Sequence, residues 1–135
     1  MKSIVRRTSL VVCTLVLALI LPTAAFAAYT GFDDVPESAD CYESVMYLAE
    51  HEITQGTGNG YFSPDAPVTV RQWAMMLCRA YDVKVEGNSW SDLSQSAVEQ
   101  SYRKGWLNET ALSAPNIQLC RGALLKSAFA AAKIP

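Results

Sequence analysis

The chain has 135 residues, with 11 Lys plus Arg against 13 Asp plus Glu, a formal net charge of −2, and half of its residues hydrophobic. A chain of this size makes one small domain, or two repeats that share a core. Its acidic balance and lack of any basic run make it a poor partner for nucleic acid or an anionic membrane surface.

Residues 1–27 read as a secretory signal peptide. Lys2, Arg6 and Arg7 form a basic start, Leu10 to Leu21 is almost wholly apolar, and Ala25-Phe26-Ala27 offers small residues for cleavage after Ala27. The apolar run is shorter than the roughly 20 residues that span a bilayer, and Pro22 and Thr23 close it, so an uncleaved anchor is the weaker alternative. No membrane association is expected once the segment is removed. Loss of Lys2, Arg6 and Arg7 leaves 8 basic residues against 13 acidic ones, which moves the formal net charge to −5. Cys13 departs with the peptide, and Cys41, Cys78 and Cys120 remain. Their spacings exclude a tight metal knuckle, which needs pairs two to four apart. An odd count in an exported protein means a free thiol or a bond to another chain, and three small buried thiols are the plain alternative.

Residues 28–36 carry Gly31 and Pro36, show no helical period and read as an extended lead-in. A helix is predicted over 40–52, opened by Asp40 and Glu43 in a box-like start, with Cys41, Val45, Leu48 and Ala49 on one face. Residues 55–67 hold Gly56, Gly58, Gly60, Pro64 and Pro67, too many breakers for a helix or a central strand, so they form a structured loop. Its glycines serve backbone conformation before any ligand. Phe62 is expected to plug back between the helices as a buried ring.

A second helix, over 69–82, opens at Thr69 with Gln72 at capping-box spacing. Val70, Trp73, Ala74, Leu77, Cys78 and Tyr81 form an apolar stripe wider than one short helix covers, so the second half of the chain or another chain must pack on it. After a polar break the order begins again at Trp90-Ser91-Asp92-Leu93, with helices predicted over 96–104 and 120–132 and a loop with Pro115 between them. The last helix sets Leu124, Leu125, Ala128, Phe129 and Ala132 on one face. Aromatic-x-Asp-aliphatic, helix, loop, helix thus occurs twice, at 28–84 and 85–135, and repeats of this kind bury their faces by stacking. The expected fold class is all-α, with helix-loop-helix repeats packed into a small bundle and no sheet larger than a two-stranded pairing.

Phe32-Asp33-Asp34-Val35, Val45 to Ile53, the run from Gly56 through Phe62-Ser63-Pro64, and Val68-Thr69 followed by Arg71-Gln72 together resemble the repeat of the S-layer homology family. The second half resembles it more weakly, through Trp90, Asp92, Leu93, Gly105 and Cys120-Arg121-Gly122-Ala123, and lacks the Gly-rich loop. The resemblance implies a bacterial cell-surface module that binds secondary cell-wall polysaccharide, often pyruvylated, in grooves between three repeats. It also implies that Arg in the family's Thr-Arg-Ala-Glu motif meets acidic groups, as a guanidinium fork suits a carboxylate. Here Val70 takes that Arg position and Arg71 is displaced by one residue, about 100° around a helix. Arg121 is in register, but Cys120 replaces the Thr and Ala123 the Glu.

On this reading the candidate glycan-binding residues are Arg71, Arg121, Trp73, Gly58 and Gly60, and Phe32, Asp34, Val35, Phe62, Pro64 and Thr69 build the motif. The other class of function open to the chain is protein assembly, by self-association or docking on another S-layer homology protein, with the sugar site lost. No enzyme activity is expected, because His51 is the only histidine and no nucleophile or second ligand stands at a recognisable spacing from it. No cofactor or metal is expected either: Gly56 to Pro64 contains no carboxylate, unlike a calcium loop.

Overall fold

A computed structural model describes residues 31–133. The predicted signal peptide, with Cys13, lies outside the described residues. The helices are α1 (Tyr42–Glu50), α2 (Val70–Ala80), α3 (Trp90–Arg103), α4 (Glu109–Ser113) and α5 (Arg121–Ala131). The fold is all-α, and pairing among the described residues is limited to the isolated bridges Gly58 with Tyr61 and Thr69 with Gln118. None of these helices is long and apolar enough to cross a membrane.

Several ends are set by local chemistry. The capping box at α2 forms as predicted, with Gln72 N–H donating to Thr69 Oγ1 and Thr69 N–H to Gln72 Oε1 at 2.9 Å. Helix α1 is different: Cys41 is the cap and no side chain caps it, so the Asp40–Glu43 box does not form. Instead the chain winds in through consecutive turns, Ala39 N–H to Pro36 O and Tyr42 N–H to Ala39 O. Three helices stop alike. Glu52, Asp82 and Gly105 are left-handed, and the next residue's N–H reaches back to Leu48, Cys78 and Ser101 carbonyls.

The third predicted helix begins too late. Ser89, whose hydroxyl accepts from Asp92 N–H at 3.2 Å, starts α3 at Trp90, so Trp90-Ser91-Asp92-Leu93 is a helical turn, whereas Phe32-Asp33-Asp34-Val35 is a non-helical turn closed by Val35 N–H to Phe32 O at 3.1 Å and not the expected extended lead-in. Ser96 caps no helix; its hydroxyl receives Glu86 N–H. The buried face of α3 is Ser94, Ala97, Val98 and Ser101, small residues that let α2 come close. The loop with Pro115 also contains the five-residue α4, which the sequence reading left out.

The principal core lies between α2, α3 and α4, built from Val70, Ala74, Met75, Cys78, Ala97, Val98 and Ala111. A smaller cluster of Phe32, Val35 and Val45 packs α1 against the lead-in. The α2 stripe is largely covered by the second half of the chain: Val70 and Leu77 are buried, and the Trp73 indole N–H donates to Ser127 Oγ of α5 at 2.7 Å. Only Tyr81 of that stripe is exposed, so of the two covers expected for α2 it is the second half of the chain that packs on it. Apolar surface is also left open on α5. That helix turns Ser127 and Ala131 inward, keeps Leu124 and Ala128 partly buried and leaves Leu125 and Phe129 about half exposed, so its buried face is turned by about one residue from the predicted one, with the Ser127–Trp73 bond holding that rotation.

Candidate functional site

The Gly-rich loop is held by the lead-in. Asp34 is the clamp: its carboxylate accepts Phe62 N–H at 2.8 Å and Ser63 N–H at 2.6 Å, while Asp33 N–H donates to Gly60 O at 2.9 Å. Partial burial pulls the Asp34 carboxyl upward, but the N–H groups of Phe62, Ser63 and Asp34 itself outweigh it and hold the group below its ordinary value. Gly56 is required sterically. At φ +74° a Cβ there would collide with Tyr61 O and stand 2.5 Å from Phe32 Cε1. Phe62 meets Phe32 with ring centroids 5.4 Å apart, yet it is only partly buried, because it packs at the rim of the small cluster and beside a groove. The expected fully buried plug is corrected to a half-buried one.

That groove, about 150 Å³, separates the loop from α2. Thr57, Ser63 and Gln55 stand on the loop side, Met75, Met76 and Arg79 on the helix side, and Trp90 joins from the start of α3. Arg79 donates to Ile53 O at 3.5 Å and to Gln55 Oε1 at 3.3 Å, both long. Trp90 is 54% exposed. A second cavity, about 580 Å³, lies between the segment from Gly105 to Ala111 and α5.

The residues singled out from the sequence are not brought together. Gly58 and Gly60 are in the turn of the loop, both at positive φ. Arg71 Nη1 donates to Ser91 O at 3.0 Å and Ser94 Oγ at 2.9 Å, so it ties α2 to α3. Trp73 is tied to α5 through Ser127. Arg121 is exposed at the first position of α5, and Cys120 provides no side-chain cap. Val70, at the family's Arg position, is 1% exposed in the core. Arg79 and Trp90 line the groove but were not among the candidate site residues. The signal for Arg79 was present, since Gln72, Met75, Met76 and Arg79 mark a second α2 face at helical spacing and all four line the groove.

Residues 31–69 match the S-layer homology domain. This segment belongs to the S-layer homology family. The match spans the lead-in, α1, the clamped loop and the α2 cap, the stretch in which Asp34, Gly56, Phe62 and Thr69 make the contacts described above. S-layer homology domains are binding modules associated with the bacterial cell wall and surface. No curated protein and no solved structure matches the chain.

Proposed function

We propose that this protein is a secreted, non-catalytic module that attaches non-covalently to secondary cell-wall polysaccharide at the bacterial surface. The observation that carries the reading is the S-layer homology match over a loop whose Asp34 clamp is fully formed. Of the arginines expected to meet an acidic sugar, Arg71 is engaged by α3, whereas Arg121 is exposed and has no partner among the described residues. Arg121 is therefore the one that can pair with a pyruvyl carboxylate without first breaking a bond. With a net charge of −5 after signal removal, attraction to an anionic polymer rests on such local pairing and not on a long-range field.

The second reading is assembly, and Leu125 and Phe129 favour it, because a helix that exposes two large apolar side chains on one face is suited to a partner surface. The two readings separate on one bench: protein mixed with purified walls and centrifuged. Recovery in the pellet supports wall attachment. Recovery in the supernatant, with a dimer or larger species in sedimentation velocity, supports assembly.

A further inference from the structure

Deepening the assembly reading, and independent of wall attachment, we infer that the exposed face of α5 docks head to tail on the exposed face of α1 in a second copy of this chain. The charges of the chain are sorted along its length. Residues 28–70 hold four Asp and four Glu with no Lys or Arg, whereas residues 110–135 hold Arg121, Lys126 and Lys133 with no Asp or Glu. The fold gives the two groups separate supports: α5 packs on α2 through Ser127 and Trp73, and α1 packs on the small cluster of Phe32, Val35 and Val45. Neither group is neutralised by the other, since the ion pair among the described residues is Lys84 with Glu86.

Each face also carries apolar surface among its charges. Arg121, Leu125 and Phe129 follow one another at steps of four on α5, with Lys126 beside them and Lys133 just past the helix end, and all five are exposed. On α1, Glu43, Tyr47 and Glu50 share a face at steps of four and three, and Glu43, Ser44, Tyr47 and Leu48 line an open depression in which Tyr47 is 57% exposed. Leu125 and Phe129 can settle against Tyr47 and Leu48 while the cations meet the carboxylates, so apolar burial and opposite charge act in the same direction. Pairing of α5 with α5 is disfavoured, because it sets Arg121, Lys126 and Lys133 against their own copies. An anionic membrane is disfavoured as well, since the rest of the secreted chain is strongly acidic. One contact between helices of eleven and nine residues falls short of the ~1,200 Å² of a stable complex, so it is weak and reversible. Each copy offers one face of each kind, and such contacts close into rings or extend into rows.

The test is sedimentation velocity of the mature protein at high micromolar concentration, in about 0.01 M salt, where the Debye length is ~30 Å, and in about 1 M, where it is ~3 Å. Three proteins are compared: wild type, an α1 variant with Glu43→Lys and Glu50→Lys, and an α5 variant with Lys126→Glu and Lys133→Glu. Arg121 stays in place, which leaves its pairing with the wall undisturbed. Melting curves establish that each variant folds. Wild type should sediment as a dimer or larger species in low salt and as a monomer in high salt. Each variant alone should stay monomeric, because its two faces now carry like charge, and an equimolar mixture of the two should regain species of two chains or more. Oligomers that persist in high salt or in either variant alone, or a mixture that stays monomeric, overturn these faces and leave assembly to other surfaces. A wild type that is monomeric in low salt overturns the docking and the assembly reading together, without bearing on wall attachment. If that monomer binds phosphatidylglycerol vesicles, the α5 face belongs to a membrane and the docking is likewise overturned.

Discussion

The carboxylate of Asp34 holds the backbone N–H of Phe62 at 2.8 Å across 28 positions of chain, and through that bond the lead-in before α1 fixes the loop that precedes α2. An acceptor with two oxygens is needed, since the neighbouring Ser63 N–H is taken at 2.6 Å by the other one.

This clamp gives the protein an acid-sensitive joint. Because the folded Asp34 is held below its ordinary value, its contribution is present above the unfolded pKa and is lost as pH falls through the folded one. Asp34→Asn should melt lower than wild type at neutral pH, because an amide offers one acceptor oxygen and turns its NH₂ toward a donor. The gap between the two melting temperatures should narrow as the solution is acidified. A constant gap across the acid range would show that the carboxylate charge is not what holds the loop.

The half-buried position of Phe62 lowers the cost of its truncation. A fully buried ring would lose about 3 to 5 kcal/mol on Phe→Ala; with the ring partly exposed, about 2 kcal/mol is expected in urea unfolding. Gly56→Ala should be at least as damaging, by about 1 to 3 kcal/mol for the left-handed backbone alone, since its Cβ also strikes Phe32.

Restoring the family's arginine should not restore a site. Val70→Arg would push a guanidinium into the cluster of Ala74, Cys78 and Val98, a charge buried without a partner, and should cost several kcal/mol of stability. Urea unfolding measures this directly. A variant as stable as wild type would mean that the α2 start can open to solvent.

The three thiols should react in order of access. Cys120 is exposed, Cys41 is partly buried, and Cys78 is buried. Burial also pushes the Cys78 thiol up, against the weaker opposing effects of Ser101 and Lys104, which keeps it a thiol and not a thiolate. Iodoacetamide on the native protein, followed by peptide mass mapping, should modify Cys120 first and Cys78 only in denaturant.

The parts of the fold that were legible in the sequence are those set by local rules. Thr69 and Gln72 announced a capping box that forms, and the spacing of Val70, Ala74, Leu77 and Cys78 gave the buried face of α2. The start of α3 was hidden because Ser94 and Ser101 are polar by composition but buried through close helix packing and local hydrogen bonds. The rotation of α5 was hidden for a related reason: an indole-to-serine bond outweighed the exposure of Leu125 and Phe129, and no periodicity encodes such a choice. The loop motif was readable because its glycines and Asp34 are fixed by backbone geometry. The groove was not, since it joins Gln55, Arg79 and Trp90 from three segments.

The central claim, that the protein attaches to an acidic wall polymer, is tested most directly by a saturation curve for wild-type protein pelleting with native walls beside one with depyruvylated walls. The account predicts saturable binding to native walls, moderately weakened by salt, and a marked loss when the pyruvyl carboxylates are removed. Failure to pellet with native walls at any protein concentration would contradict it.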